Sequence, residues 1–240
     1  MDPSLNHFPS THRTWLVTHI EELQSDGDAT RHEALLALRA HLFERYAAPL
    51  ATYANHSSMR RLGDANELVH GYLVRTLEDC SSFARWPQSG RLLRRWLLAG
   101  LLFYARGIAR DAGRSREHAA TTALDLHLGS EPTAEEAFER ACAREILEAA
   151  FVRAHASMTA AGRDQSWEIF RRHLLDGEAY ASISRELNLS TQNCADATRV
   201  ATQEVRKALR SVLLDEGVPE REVTVEADSI FKSVVDAATR

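Results

Sequence analysis

Apolar residues along this chain recur at helical spacing. Trp167, Phe170, Leu174 and Leu175 fall on one helical face, and Asp176-Gly177 ends the run with a residue that tolerates left-handed geometry. A short helix is predicted next over Ala179–Leu187, with Ile183 and Leu187 four apart on one face. Asn188-Leu189-Ser190 then makes a tight turn, Asn supplying a position with positive φ. Ser190 is placed to cap a longer helix running through Ala197, Val200, Val205 and Leu209. A short helix, a three-residue turn and a longer second helix over 179–206 predict a helix-turn-helix, the geometry that lays a helix in a major groove.

Upstream, Leu35, Leu36, Leu38, Leu42, Phe43, Leu50 and Tyr53 form the apolar stripe of a helix over Thr30–Ala54, which Pro49 is expected to kink or interrupt. Residues 55–63 read as a loop, and Asp64 as the cap of a second helix reaching Asp79. A polar loop bearing aromatic residues follows over 80–90, then a third helix over Arg91–Gly113. Periodicity is lost over 114–134, where Gly129-Ser130-Glu131-Pro132 marks a linker. Thr133-x-x-Glu136 is a capping-box pattern opening a helix that reaches Met158, and 159–166 is a loop. After Leu214 the chain turns at Gly217-Val218-Pro219, and Val225–Ala238 makes a last short helix. The expected fold is all-α: two small helical domains, 1–113 and 135–214, joined by the linker 114–134 and followed by an acidic tail, 215–240.

Composition agrees with a folded helical protein. The 240 residues suffice for two cores, with only 6 Pro and 11 Gly and no run of alternating β-branched residues. The apolar segment 97–105 is too short to span a membrane, and Met1–Ser10 lacks the basic and apolar regions of a signal peptide. Cys80, Cys142 and Cys194 are scattered singly, as small buried hydrophobes in a reducing compartment. A cytoplasmic protein without membrane contact is expected.

The net charge of −5 is strongly segregated. Residues 60–116 carry 11 Arg against 5 acids and residues 171–214 carry 7 basic residues against 5 acids, whereas 117–170 and 215–240 are acidic. Such a pattern suits a protein that touches phosphate at two places, or a set of solvated helix faces. In the basic block, Arg94, Arg95, Arg106, Arg110 and Arg114 are interleaved with Trp96, Phe103 and Tyr104. Arginine grips phosphate and aromatic rings stack on unpaired bases; the same rings also serve as core positions of a helix. Trp86, in the Phe83–Pro87 segment, either packs back on the domain or covers a flipped base.

Glu67 and His70 have the Glu-x-x-His spacing of di-iron bundles, but the chain holds no second copy. The eleven histidines form no ligand cluster, and no catalytic triad, glycine-rich or P-loop pattern occurs. No enzyme, metal, cofactor or small-molecule substrate is expected.

Taken together, the segments 29–54, 64–77, 90–105, 137–190 and 225–238 resemble RNA polymerase sigma factors of the extracytoplasmic-function type, in a variant with a long linker. The resemblance covers nearly the whole chain and rests on the order and spacing of the segments. It implies region 2-like and region 4-like domains, with core RNA polymerase and promoter DNA as partners. Asp64, Glu67, Leu68, His70 and Leu73 would dock on polymerase. Arg85, Trp86, Arg91, Arg94, Arg95, Arg106 and Arg110 would melt and read the proximal promoter element. Thr191, Gln192, Asn193, Arg199 and Arg206 would read the distal element.

Two departures stand out. His70-Gly71 replaces the family's usual Gln-Glu, and a mid-helix glycine costs roughly 1 kcal/mol relative to alanine. The reading helix carries Ala195, Asp196, Val200, Thr202, Gln203 and Glu204 where basic residues are usual. A sigma-like protein that acts by holding a regulatory or inhibitory protein partner, with weakened DNA binding, is the alternative expectation.

Overall fold

The structure is a computed structural model and describes residues 12–25, 27–115 and 133–238. Among these residues it is all-α, with ten helices and no strand. It divides into two compact units, 1–142 and 143–240.

The first unit begins with α1 (His12–Glu22), which the sequence reading does not anticipate. Leu16, Ile20 and Leu23, spaced four and three apart, are buried where α1 packs on α2 (Asp28–His56). Of the two outcomes expected at Pro49, interruption does not occur, and α2 runs unbroken through it. A mid-helix proline costs about 3 kcal/mol, but Leu42, Tyr46, Pro49, Leu50 and Tyr53 are all buried along this stretch. Burying several large side chains at about 1.5–3 kcal/mol each offsets that loss. After a 3-10 turn at Ser58–Arg61, α3 (Ala65–Glu78) packs back on α2. Asp64 caps it as expected, one carboxylate oxygen accepting the N–H groups of Asn66 and Glu67 at 2.8 and 3.0 Å.

The expected loop 80–90 is more ordered than its polarity suggests. It contains α4 (Cys80–Phe83) and a 3-10 turn, Pro87–Ser89, closed by Gly90 at φ +66°. Phe83 and Trp86 point into the core. Helix α5 (Leu93–Ser115) meets α3 through a reciprocal fit. The Tyr104 hydroxyl stands 2.7 Å from where a Cβ would lie at Gly71, and the Tyr72 hydroxyl crowds the corresponding position at Gly100. Each helix thus contributes one glycine and one tyrosine, and the two rings lie 5.9 Å apart. The glycine that looks costly in α3 makes room for a side chain of α5.

Residues 116–132 of the expected linker lie outside the described residues. Helix α6 (Ala134–Ala160) opens with both halves of the capping box: Thr133 N–H donates to Glu136 at 3.0 Å and Glu136 N–H to the Thr133 hydroxyl at 3.2 Å. Phe138 and Cys142 belong to the core of the first unit, so the division between units falls inside α6 and not at residue 135.

The second unit comprises the rest of α6, α7 (Asp164–Phe170), α8 (Tyr180–Glu186), α9 (Thr191–Asp215) and α10 (Glu220–Ala238). Gly162 at φ +67° turns the chain into α7. Residues Arg171–Leu175, expected as plain α-helix, form a π turn, and Gly177 at φ +73° ends it. Asn188 at φ 52° makes the turn after α8, and the Ser190 hydroxyl accepts the Asn193 N–H at 3.0 Å to cap α9. Ile183 of α8 and Cys194 of α9 are buried against Ile169. Helix α10 starts five residues before the expected Val225 and packs along α9, burying Val223, Ala227, Ile230 and Phe231.

Candidate nucleic-acid interface

Helical spacing on α5 aligns Arg95, Ala99, Phe103, Arg106 and Arg110 as one stripe, with Arg91 a turn before it. Arg91, Arg95, Phe103, Arg106 and Arg110 are all exposed. The other aromatic residues of the block are occupied: Trp96 stacks on Phe83 at 5.6 Å, and Tyr104 lies against Tyr72. Phe103 stands apart, 70% exposed, with the Arg106 guanidinium 5.7 Å from its ring centre. A large apolar ring this bare, flanked by guanidinium groups, is suited to stacking against a flat partner while phosphate is gripped alongside. The signal was present in the sequence, because the helical neighbours of Phe103 three and four positions away are Ala99, Gly100, Arg106 and Gly107, none of them a large apolar residue.

Several residues expected at this interface turn inward. Trp86 is 2% exposed and its indole N–H donates to the Arg91 carbonyl at 3.0 Å, so it fixes the start of α5 and offers no face to a base. Arg94 is only 6% exposed, its Nε 3.9 Å from Glu139 of α6. Arg95 reaches the same carboxylate at 2.8 Å but keeps half its side chain in solvent. Arg85 is exposed, with its Nε donating to the Ser81 carbonyl at 3.3 Å. Arg114 carries no described side chain.

The five residues assigned to a polymerase contact divide in the same way. Glu67 and His70 are exposed, His70 resting 5.1 Å from the Phe43 ring. Leu68 is buried and Leu73 has no exposed surface at all, so both hold α3 in the core. Asp64 is engaged as the helix cap.

In the second unit, Thr191, Gln192 and Asn193 are exposed on the first turn of α9. Asp196 gathers Gln192 at 3.3 Å and Arg199 at 3.1 Å, and these hydrogen bonds hold its carboxyl below the usual range. Arg206 is met by α10: its guanidinium lies 3.7 Å from Asp228 and 5.0 Å over the Phe231 ring. No local pattern around Arg206 announced these partners. Arg171 and Arg172, which make this segment basic on paper, are also committed. Arg171 pairs with Glu168 at 2.9 Å and Asp176 at 2.6 Å. Arg172 forms a four-bond fork to Glu178, at 2.7 and 2.8 Å, and to Glu186, at 3.1 and 2.5 Å. Hydrogen bonds from Arg172 hold the Glu178 carboxyl low, and Arg171 does the same for Glu168.

Among the described residues no group of His, Cys, Asp and Glu is placed to hold a metal ion, which includes Glu67 and His70. Among them, too, no helix is long and apolar enough to cross a membrane. Comparison with known protein families, with curated proteins and with solved structures returns no match.

Proposed function

We propose that this chain is a sigma-type transcription factor of the extracytoplasmic-function kind, which binds core RNA polymerase, recognises and opens promoter DNA, and catalyses nothing itself. The observation that carries the reading is the exposed stripe of α5, where Phe103 stands among Arg95, Arg106 and Arg110. Arginine supplies the phosphate contacts and the bare ring a stacking surface. The turn between α8 and α9, with Asn188 at positive φ and Ser190 as cap, supports a helix-turn-helix reading of the second unit. Glu67 and His70 of α3 are the exposed candidates for the polymerase contact.

Co-elution of the full chain with core polymerase, followed by promoter-dependent run-off transcription, tests the reading. Arg106→Ala with Arg110→Ala should retain co-elution and lose most of the run-off product. Failure of the wild-type chain to associate with polymerase would overturn the proposal.

A second reading is favoured by a specific observation: Arg95, Arg199 and Arg206 each already meet a carboxylate of the same chain. On this reading the protein keeps a sigma-like architecture and acts by holding a protein partner. Association with polymerase without transcription is its expected signature.

A further inference from the structure

We propose that Asp228 and Phe231 of α10 are positioning residues that withhold Arg206 from nucleic acid, so that α9 contacts DNA only through its first turns. The proposal rests on the reading of the second unit as a DNA binder and concerns the extent of its contact surface. Arg206 is a half-exposed side chain at the middle of α9, one of the positions expected to read the distal element. Its guanidinium lies 3.7 Å from Asp228 and 5.0 Å over the Phe231 ring.

The platform is fixed, because Phe231 is itself buried, together with Val223, Ala227 and Ile230 along the seam with α9. A ring held by the core keeps its face toward the cation, and the carboxylate three residues earlier reaches the same cation. Along α10, Glu220, Glu222 and Asp228 are exposed acids, and Lys232 is an exposed base one turn beyond Asp228. On α9, Lys207 pairs with Glu204 at 3.5 Å, while Arg210 is exposed one turn after Arg206. Arg199, nearly two turns before Arg206, pairs with Asp196 of its own helix, so its geometry is independent of α10.

Each guanidinium–phosphate contact on duplex DNA adds about 0.9 to the slope of log affinity against log salt. Removing a guanidinium that makes no such contact therefore leaves the slope unchanged, which gives the proposal a quantitative signature.

The test is fluorescence anisotropy of the full chain on labelled mixed-sequence duplex DNA, titrated over about 50–200 mM salt. Four proteins form a cycle: wild type, Arg206→Ala, Asp228→Asn, and the double variant. Arg206→Ala is expected to leave affinity and slope at wild-type values. Asp228→Asn is expected to steepen the slope by about one contact, and the double variant to return it to the wild-type slope. Glu222→Gln removes the same charge elsewhere on α10; any gain it gives should persist when Arg206 is alanine, which separates general electrostatics from release of Arg206. Asp228→Glu should restore wild-type behaviour.

If Arg206→Ala alone flattens the slope by about one contact, Arg206 already grips phosphate and the proposal is overturned. Equal gains from Asp228→Asn with and without Arg206 would also overturn it. Gln192→Ala with Asn193→Ala, both exposed on the first turn of α9, separates this failure from failure of the underlying reading: if the pair leaves affinity unchanged in every background, α9 does not contact DNA. Absence of binding by all variants would overturn the DNA reading and the proposal together.

Discussion

The Tyr72 hydroxyl on α3 occupies the space that a side chain would need at Gly100 on α5. Tyr104 and Gly71 repeat the relationship in the opposite direction. The two helices therefore cross on a pair of glycines, each accommodating the ring of its neighbour. Burial pushes the Tyr72 phenol up to about 12.

Gly100→Ala ought to be stabilising on helix propensity, by about 1 kcal/mol. Overpacking against a buried phenol costs about 1–3 kcal/mol, so the expected outcome is a net loss of up to roughly 2 kcal/mol in denaturant unfolding. Adding Tyr72→Phe removes the nearest obstructing atom but leaves the ring Cζ 2.9 Å from the new Cβ, so it should recover only part of the loss. A loss that Tyr72→Phe leaves untouched would show that the hydroxyl is not the obstacle.

Trp86 anchors the entry to α5 by burial and by its hydrogen bond to the Arg91 carbonyl. Trp86→Phe keeps an aromatic ring but removes the donor and some volume, so stability should fall by about 2–3 kcal/mol. DNA affinity measured well below the melting temperature should stay within about twofold, a difference near 0.4 kcal/mol. A large affinity loss in a variant of unchanged stability would instead place Trp86 at the bases.

Asp64 satisfies two backbone donors at the start of α3. Asp64→Ala should cost about 1 kcal/mol by thermal or denaturant unfolding, and Asp64→Ser, which retains a capping oxygen, should recover most of it. Polymerase co-elution should follow the same order. Loss of co-elution in a fully stable Asp64→Ser protein would show that the carboxylate itself meets the partner.

Acid should weaken the second unit through Glu178 and Glu168. Both carboxyls are held below their ordinary value of 4.5, Glu178 chiefly by hydrogen bonds from Arg172 and Glu168 chiefly by those from Arg171. A carboxyl depressed in the folded state contributes fully above the unfolded value, and the contribution disappears as pH falls through the lower folded value. The unfolding midpoint of the full chain should therefore drop as pH falls from roughly 5 to 3. Arg172→Gln should lower the midpoint at neutral pH and flatten this acid limb. An acid limb identical to wild type would remove Arg172 from the account.

The features legible in the sequence are the local ones. The caps at Asp64, Thr133 and Ser190 and the turns at Gly177 and Asn188 follow from residues within a few positions of each other, and all occur as expected. What depended on distant residues was not legible. Arg94 and Arg95 read as free basic surface until Glu139 is brought beside them, and Arg206 until α10 is laid along α9. The same holds for the glycine in α3, which looks like a defect when Tyr104 is out of view. Polarity misled over 80–90, where Phe83 and Trp86 turn a polar stretch inward. Helix α1 has a local signature too, since Leu16, Ile20 and Leu23 carry its period.

The Arg172 fork also sets an order of assembly. Its carboxylate partners lie 6 and 14 residues further along the chain, and loops this short close quickly and at small entropic cost. During synthesis the fork is complete once residue 186 has emerged, while the Arg206–Asp228 contact must wait for most of α10. A nascent chain therefore presents α9 with Arg206 still uncovered, and the surface it offers at that moment differs from that of the finished protein.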